Sequence, residues 1–388
     1  MNDGRGRKYY EYDGMPEILD SKNVSCLDSG DFIANGKVIK SSQVYDLFQP
    51  TVDGLLQDLI PNTPLADKFA AYIENENPES VWFFYPNDED LVKFTAPFWH
   101  RMALLARNSY LLRDPKGALS WDEIRKIFDN AVIAVAGCSV GNSIIHAMVR
   151  DIRPNHFKIA DLHKYKLTNA NRVFLGYKDF GQNKAVVTAK QIHAIDPFMK
   201  ISVYAEGVHE KYIHDFLAGN PALDEPRATI LVEEVDDPET KIRLRETARQ
   251  NKIPVVMASD LGSGVQIDIR RFDLDDKLSL APFVEDDRLY SALNEWKKDM
   301  GSKQKLFEFY YTMIGRRSET KLPEFSSVAW RKIPLLFGGV AQLGSTVMTA
   351  GGLMGETVAR LLLGWNLSER RFLVKHTFEV FEEKEKKQ

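Results

Sequence analysis

Five short apolar runs, separated by segments of helical character, follow one another between residues 131 and 259. The first run, AVIAVA, contains no polar residue, which is typical of a strand buried on both faces of a sheet. Strands that alternate with helices favour a doubly wound α/β fold with a mostly parallel sheet. The predicted strands are Ala131–Ala136, Phe157–Asp161, Lys200–Val208, Ala228–Val235 and Ile253–Ser259.

Helical segments fill the gaps between these runs, and a further strand follows them. Pro238 stands where a proline suits the first turn of a helix. The run Val265–Phe272 alternates apolar and polar residues, as a strand with one wetter face does. The predicted helices are Ser143–Arg150, Gln182–Ile195, Glu210–Leu217 and Pro238–Gln250.

The chain has 388 residues, which is long for one compact domain. Residues 105–272 contain the alternating pattern and form the predicted main domain. Residues 1–104 form a predicted N-terminal domain, with a strand at Val81–Tyr85 and a helix at Ala96–Arg107 at its end. Residues 273–388 form a predicted C-terminal extension that packs on the main domain.

The extension reads as irregular and charged up to residue 335, apart from a predicted helix at Leu289–Met300. The segment 338–364 is rich in Gly, Ser and Thr and is predicted to return as a helix against the main domain. Its first part, Gly338–Gly355, has no charged residue, but its small and polar residues favour a closely packed helix over a membrane span. His376–Glu383 is predicted to form a closing strand.

Composition excludes several functional classes. The net charge is −4 and no basic stripe is present, so the electrostatic pattern of a nucleic-acid-binding protein is missing. The N-terminus has no apolar run of the kind found in secretory signals. The two cysteines, Cys26 and Cys138, cannot form a four-cysteine zinc site or a disulfide framework. We therefore expect a cytoplasmic protein without zinc and without membrane or nucleic-acid partners.

The turn after the first strand has the sequence GCSVGN. A glycine-rich turn between a strand and a helix lets backbone N–H groups and the helix N-terminus meet a phosphate, and Gly137, Ser139 and Gly141 are the candidates. The pattern departs from G-x-G-x-x-G, because Ala136 and Cys138 occupy two of its glycine positions. An ordinary tight turn remains an alternative interpretation.

Asp161 ends the second predicted strand, twenty residues after Gly141. An acidic side chain at this place accepts hydrogen bonds from the hydroxyls of a ribose in dinucleotide-binding proteins. Since aspartate is common at strand ends, Asp161 is a candidate nucleotide ligand only in combination with other signals.

The decisive motif follows Asp161: DLHKYKLTNANR and then GQNKA. It resembles the signature of the E1-like superfamily, which includes ThiF, MoeB, the microcin-adenylating enzyme and the ubiquitin-activating enzymes. The signature is an aspartate, then N-x-x-R, then G-x-x-K-A. The matching residues are Asn169, Arg172, Gly181, Lys184 and Ala185.

The resemblance implies transfer of AMP from ATP to a carboxylate. Such a reaction builds charge on phosphate oxygens, and fixed cations offset that charge. Arg172 and Lys184 are the predicted cations, with Asn169 beside them in the nucleotide site. A dehydrogenase of the same fold has no use for two cations over a triphosphate. Solvated surface charges remain the alternative interpretation.

Two further residues are assigned through the resemblance. Asp236 ends the fourth predicted strand, where family members have an aspartate that faces Mg²⁺ and the phosphates. Asp237 suits the cap of the following helix better. Arg107 matches an arginine that family members place near the phosphates, often from the other subunit of a dimer, and Arg101 is its rival.

The resemblance covers residues 105–272 well and 338–364 more loosely, and looks closest to a bacterial branch with G-x-S-V-G in its first turn. His163 and Val173 stand where many members have aspartate and glutamine. The zinc-binding cysteine pairs of some members are absent, and no cysteine follows Cys138. A thioester-forming enzyme needs an activated, exposed thiol, so thioester transfer is not expected.

The sequence therefore predicts an ATP- and Mg²⁺-dependent adenylating enzyme. By analogy with enzymes that mature microcin and pantocin, its substrate is expected to be a peptide or small protein, and residues 1–104 could hold it. The family also implies a homodimer. An NAD-dependent oxidoreductase and a non-catalytic E1-like binding protein remain alternatives, although the first leaves Arg172, Lys184 and Asp236 unexplained.

Overall fold

The computed structural model describes residues 11–105, 119–261, 264–314, 342–367 and 372–374. Two of the expected features, Arg107 and the closing strand at His376–Glu383, lie outside the described residues.

A seven-stranded sheet forms the centre of the molecule. Its strand order is β10-β9-β8-β11-β12-β13-β14. The first five are mutually parallel, whereas β13 runs antiparallel to β12 and β14 antiparallel to β13. The strands are β8 (Val132–Ala136), β9 (His156–Ala160), β10 (Lys200–Tyr204), β11 (Ile230–Glu233), β12 (Val255–Leu261), β13 (Gly264–Arg270) and β14 (Phe372–Val374). This sheet confirms the predicted mostly parallel, Rossmann-like α/β fold.

Helices cover both faces of this sheet, which is why all five residues of β8 are buried. The order of the strands reverses between β8 and β11, since the chain adds β9 and β10 on one side and β11 and β12 on the other. In sheets of this kind, a crevice opens beyond the carboxyl ends of the strands at the point of reversal. The helices are α4 (Trp121–Asp129), α5 (Val140–Asp151), α6 (Lys184–His193), α7 (Glu210–Ala218) and α8 (Pro238–Gln250).

The Gly-rich segment near the C-terminus forms helix α11 (Gly344–Leu362), which packs along α5. A Cβ atom at Gly351 would lie 2.9 Å from the backbone oxygen of Ser143, so the two helices approach each other too closely for a larger residue. This agrees with the predicted buried, closely packed helix. Within the described ranges, no helix is long and apolar enough to cross a membrane.

The charged region after β13 contains two helices, where the sequence suggested one. Helix α9 (Asp286–Lys297) overlaps the predicted helix at Leu289–Met300, whereas α10 (Lys303–Ile314) was not predicted. Phe309 and Met313 of α10 are buried against the main sheet's core, so an amphipathic helix replaces part of the expected irregular segment.

The N-terminal part contains two small sheets, with orders β1-β6-β7-β5 and β2-β3-β4. Its predicted strand at Val81–Tyr85 is confirmed, as is most of its last helix. The elements are β1 (Glu17–Leu19), β2 (Val24–Cys26), β3 (Phe32–Ala34), β4 (Lys37–Ile39), β5 (Val44–Asp46), α1 (Phe48–Asp58), α2 (Pro64–Ile73), β6 (Ser80–Tyr85), β7 (Asp90–Thr95) and α3 (Pro97–Leu105).

Buried contacts join this part to the amino edge of the main sheet. The Phe83 ring stands edge-on to Phe198, with ring centroids 5.1 Å apart. The Tyr85 hydroxyl donates to the carbonyl of His193 at 2.9 Å. The Arg101 guanidinium donates to the carbonyl of Arg153 at 2.7 Å. Residues 153 and 198 lie in the loops that enter β9 and β10, so these contacts lie at the edge where the two strands begin. A further contact joins Asp88 to Lys178, at 2.9 Å, in the loop before α6.

Candidate active site

Two adjoining clefts open beyond the carboxyl ends of β8 and β11, at the point where the strand order reverses. We call them the first cleft, of about 600 Å³, and the second cleft, of about 730 Å³. Both are lined by Ser139, Glu234, Val235 and Asp236, so they are continuous. The first cleft also includes Gly137, Asp161, His163 and Lys184. The second also includes Met257, Asp260, Tyr310, Ile314 and Gln342.

The turn after β8 uses its first two amides within the protein. Gly137 N–H donates to the carbonyl of Ala160 at 2.8 Å, and Cys138 N–H donates to Oδ2 of Asp161 at 2.8 Å. The amides that remain to meet a phosphate are those of the first turn of α5, because the first N–H groups of a helix have no partner within it. The phosphate-binding amides thus start after Cys138, later than the glycine pattern suggests.

Gly137 and Gly141 occupy positions that favour glycine for different reasons. Gly137 has a φ of +98°, and a Cβ atom there would lie 2.3 Å from the backbone oxygen of Glu234. Gly141 lies in the first turn of α5, where a Cβ atom would lie 3.0 Å from Cγ1 of Val135. The first glycine therefore allows the turn, and the second allows α5 to pack closely on β8.

Asp161 holds the two loops of the first cleft together. Its Oδ2 accepts from Cys138 N–H, and its Oδ1 accepts from the backbone N–H of His163 at 2.8 Å. Each oxygen has a second lone pair for a ligand hydroxyl. The exposed His163 ring lies beside it, with Nδ1 3.3 Å from Oδ1. Asp161 is thus in the cleft, as the sequence predicts, and fixes the turn as well.

Arg172 is not among the described lining residues of either cleft, but its side chain contacts Ser139, which lines both. Its Nε donates to Oγ of Ser139 at 3.0 Å, and its other guanidinium bonds go to the Thr168 carbonyl and to Asn171 Oδ1. Asp236 and Asp260 both lie within electrostatic reach of it, and burial is the larger influence, lowering the pKa of Arg172. The guanidinium stays charged, since arginine does not deprotonate in proteins.

Asn169 supports the loop of Arg172 from behind. It is buried, its Oδ1 accepts from the backbone N–H of Lys166 at 2.9 Å, and its carbonyl accepts from Arg172 N–H at 3.1 Å. It does not belong to the described lining of either cleft. The geometry gives it a positioning role for Arg172, which differs from the direct nucleotide contact expected from the motif.

Lys184 is the first residue of α6 and lines the first cleft. Its ammonium lies 5.7 Å from the centroid of the Tyr165 ring. The preceding Asn183 caps the helix, and its side-chain amide donates to the carbonyls of Asp161 and Ala205 at 2.8 and 2.9 Å. Asn183 was not among the residues predicted from the sequence, although its hydrogen bonds hold the start of α6, and with it Lys184, beside the first cleft.

Asp236 and Asp237 differ in their surroundings. Asp237 caps α8, since its carboxylate accepts from Thr240 N–H at 2.8 Å. Asp236 lines both clefts and is open to solvent there. Desolvation of the carboxyl group raises the pKa of Asp236, and the positive charges of Lys241, Lys184 and Arg172 oppose this increase. Within the part of the chain that the structure describes, no group of three or more His, Cys, Asp or Glu side chains could hold a metal alone.

The second cleft was not predicted from the sequence. Asp260, near the end of β12, is 7% exposed, and its Oδ1 has no hydrogen-bond partner among the described residues. Its Oδ2 accepts from Nε2 of Gln342 at 3.3 Å. Burial raises the pKa of Asp260 to about 7, and the nearby Arg172 charge opposes the shift. The sequence signal for this cleft was Asp260 directly after the fifth predicted strand, but an aspartate at a strand end is too common to predict a site.

The raised pKa makes the effect of Asp260 on stability depend on pH. The folded protein binds this proton more tightly than the unfolded chain, where an aspartate has a pKa of about 3.9. The free energy of unfolding therefore falls as pH rises from about 4 to about 7 and is level above that. Asp260→Asn removes the buried charge, so we expect it to stabilise the protein by up to about 4 kcal/mol at pH 8.

The free energy of unfolding in urea is measured for the wild-type protein and for Asp260→Asn, at pH 5 and at pH 8. The gain from Asp260→Asn should be about 2.6 kcal/mol larger at pH 8 than at pH 5. The exposed Asp287, changed to Asn, is the control and should show no such difference. A gain of equal size at both pH values would contradict a raised pKa at Asp260.

The remaining candidates lie away from the clefts. Arg101 is buried, pairs with Asp129 and contacts Arg153, so it joins the N-terminal part to the main sheet. Arg107 is outside the described residues. Burial raises the pKa of the Cys138 thiol well above its usual range, and Cys26 is exposed at the end of β2. Neither cysteine lines the described clefts.

A family model described as "ThiF family" matches residues 121–387. A protein of Mycobacterium tuberculosis (strain CDC 1551 / Oshkosh), "Uncharacterized protein MT1398", is 29% identical over 195 residues. The match covers 50% of this chain and 25% of that protein, so the aligned part spans about a quarter of the relative's length.

Three solved structures show distant similarity. They are E. coli MccB with ATP (14% identity, 92% of this chain, 93% of that chain, TM-score 0.45), E. coli TcdA in complex with AMP (17%, 67%, 94%, 0.43) and PaaA (12%, 72%, 79%, 0.47). Their TM-scores are below 0.5, and we infer no function from them.

Proposed function

Because the chain belongs to the ThiF family, we propose that it uses ATP to activate a carboxylate as an acyl adenylate. Family membership supports ATP-dependent adenylation in general. The observation that carries the proposal for this chain is that Lys184 and Asp236 line one crevice at the carboxyl edge of the sheet and that Arg172 contacts Ser139 in its wall.

In the proposed reaction, a carboxylate oxygen of the substrate attacks the α-phosphorus of ATP. The bond between that phosphorus and the oxygen bridging to the β-phosphate breaks, and pyrophosphate leaves. Lys184 and Arg172 offset the charge that develops on the phosphate oxygens. The amides of the first turn of α5 hold phosphate, and Asp161 accepts from the ribose hydroxyls. Most of the rate enhancement would come from positioning and electrostatics.

Asp236 suits a magnesium ion better than Asp161 or Asp237. Asp161 Oδ1 and Oδ2 already accept from backbone amides, and Asp237 caps α8. Asp236 is open to both clefts. One carboxylate together with phosphate oxygens and waters is a common magnesium environment. When bound, the ion would neutralise charge on the β- and γ-phosphates that depart as pyrophosphate.

The finer parts of the proposal concern substrate and assembly. We propose that the carboxylate belongs to a peptide or small protein, that residues 1–104 help to hold it, and that the product serves peptide maturation in the cytoplasm. We also propose a homodimer in which Arg107 of one subunit serves the crevice of the other. The domain limits at residues 104 and 272 stay predictions.

The test is calorimetric titration with ATP plus Mg²⁺ and with NAD. We expect binding of Mg·ATP and no measurable binding of NAD, because Lys184, Arg172 and a magnesium-binding Asp236 suit a triphosphate better than the diphosphate of a dinucleotide. Tight NAD binding without ATP binding would reject adenylation in favour of an oxidoreductase. Binding of ATP without release of pyrophosphate in the presence of carboxylates would instead support a non-catalytic binding protein.

A further inference from the structure

Ser139 occupies the N-cap position of α5, but its side chain does not cap the helix. A serine at this position usually has extended backbone angles, and its oxygen accepts from one of the next backbone amides. Here φ is −89° and ψ is −81°, and Oγ accepts instead from Nε of Arg172 at 3.0 Å. The side chain is therefore turned away from the amides of the first turn of α5, which the proposed function assigns to phosphate.

The Ser139 hydroxyl group has one proton to donate. A serine hydroxyl donates one hydrogen bond and accepts up to two, whereas arginine only donates, so the contact with Arg172 uses an acceptor site of Oγ. Among the residues that the structure describes, none accepts the hydroxyl proton in a hydrogen bond. Ser139 is partly exposed and lines both clefts. The hydroxyl donor is thus open to a ligand.

Arg172 is held firmly enough to orient this donor. Its Nη1 donates to the carbonyl of Thr168 at 3.3 Å and to Oδ1 of Asn171 at 2.8 Å, in addition to the bond from Nε to Ser139. The guanidinium group is thus tied both to the turn after β8 and to its own loop. A charged donor on a hydroxyl oxygen also strengthens the hydrogen bond that the hydroxyl donates in turn. Arg172 therefore both positions and polarises Ser139.

The place of Ser139 indicates which atom of the ligand it meets. Under the proposed function, the ribose lies beside Asp161 in the first cleft, the acyl group lies in the second, and the two are joined through the α-phosphorus. Ser139 and Asp236 are among the residues that line both clefts, so the α-phosphate lies beside them. Resting on the proposed function, we infer that the Ser139 hydroxyl donates a hydrogen bond to a non-bridging oxygen of the α-phosphate, and that Arg172 positions it for this contact.

The two diastereomers of ATPαS test this without knowledge of the carboxylate substrate. In each of them sulfur, a weaker acceptor than oxygen, replaces a different non-bridging oxygen of the α-phosphate. Dissociation constants are measured by calorimetry with Mg²⁺ for ATP, for both diastereomers and for adenosine, which has no phosphate. The variants are Ser139→Ala, Ser139→Thr, which keeps the hydroxyl, and the control Ser143→Ala. Ser143 lies one turn further along α5 and packs against Gly351 of α11.

We expect Ser139→Ala to weaken the binding of ATP and of one diastereomer by about tenfold, because a hydrogen bond to a charged group is lost. The other diastereomer, whose sulfur faces Ser139, should be weakened by less than about twofold. Ser139→Thr and Ser143→Ala should keep all affinities within about threefold of wild type. Since Ser139 does not cap α5, Ser139→Ala should leave the urea midpoint and the affinity for adenosine unchanged.

The part played by Arg172 is measured by a double-mutant cycle with Arg172→Lys. A lysine has no Nε–H group in the place from which Arg172 holds Ser139, so the hydroxyl is no longer oriented. In the Arg172→Lys protein, Ser139→Ala should therefore weaken ATP binding by less than about threefold. A loss that remains about tenfold in this background would overturn the positioning role of Arg172.

Two results would overturn the contact with the α-phosphate. One is an ATP affinity of Ser139→Ala within about twofold of wild type, and the other is equal weakening of both diastereomers. Weaker binding of adenosine to Ser139→Ala, or a lower urea midpoint than that of Ser143→Ala, would show a structural role for the hydroxyl instead. If the wild-type protein binds neither ATP nor ATPαS, the proposed function itself fails, which is a different result from an ATP affinity that Ser139→Ala does not change.

Discussion

Asp236→Ala should lower the rate of adenylate formation by about a thousandfold or more, because losing a metal-binding carboxylate removes several kcal/mol of transition-state stabilisation. The fold should survive the change. The backbone carbonyl of Asp236, and not its side chain, accepts the Tyr310 hydroxyl. Desolvation raises the pKa of this carboxyl group in the folded protein. Its negative charge therefore does not stabilise the folded state, and removing it should not unfold the protein.

The neighbouring residue provides a matched control. Asp237→Ala removes the cap of α8 and should cost about 1 kcal/mol of stability while leaving adenylation within a few-fold of wild type. Both rates are measured as ATP–pyrophosphate exchange with the carboxylate that the wild-type protein activates fastest, and both stabilities by thermal unfolding. If Asp236→Ala keeps a tenth of the activity, or if Asp237→Ala loses as much, the assignment of roles is wrong.

Gly137→Ala should destabilise the protein by about 3–5 kcal/mol and abolish nucleotide binding. A Cβ atom at this position would lie 2.3 Å from the Glu234 oxygen and 2.6 Å from its carbonyl carbon. These are backbone atoms, and the neighbouring Glu234 N–H is held by the carbonyl of Ala136 at 2.8 Å, so they cannot move aside without disturbing β11. The φ of +98° adds strain of its own.

Two other glycines separate the effect of the steric clash from the effect of the positive φ. Gly181 has a φ of +82° but open space around a Cβ atom, so Gly181→Ala should cost about 1–2 kcal/mol from conformation alone. Gly352 lies within α11 with open space, so Gly352→Ala should stabilise by up to about 1 kcal/mol. Urea unfolding of the three variants measures the series. A Gly137→Ala protein no less stable than Gly181→Ala would show that the turn can relax.

The sequence predicts most of the main sheet because its signals are local. A strand buried on both faces has a continuous apolar run, as in β8, and the Asp237-Pro238 pair marks the start of α8 within one residue. Asp161 is a candidate because it ends a predicted strand, whereas Lys184 and Asp236 are candidates because they match the E1-like signature. The carboxyl ends of neighbouring parallel strands meet at one edge, so these side chains come together once the sheet is known.

The second cleft could not be predicted in the same way. Asp260 comes from β12, Tyr310 from α10 and Gln342 from the segment before α11, and none of these has a spacing that predicts contact with the others. Likewise, the internal use of the Gly137 and Cys138 amides depends on the carbonyl of Ala160 and the side chain of Asp161. Such long-range hydrogen bonds are set by tertiary packing and leave no local pattern.

The attachment of the N-terminal part beside the amino ends of β9 and β10 sets a minimum length for a peptide that is held there and reacts in the clefts. The clefts lie at the opposite edge, beyond the carboxyl end of the five-residue strand β8. Such a strand spans about 17 Å, and an extended peptide advances about 3.3 Å per residue. A peptide held beside Phe83 and Arg101 would therefore need at least about five residues between that point and the carboxyl group presented to Asp236 of the same chain. A peptide held beside Asp88 would need fewer, because Asp88 pairs with Lys178 in the loop that leads into α6. The place at which a peptide is held would thus set the length of the shortest peptide that reacts.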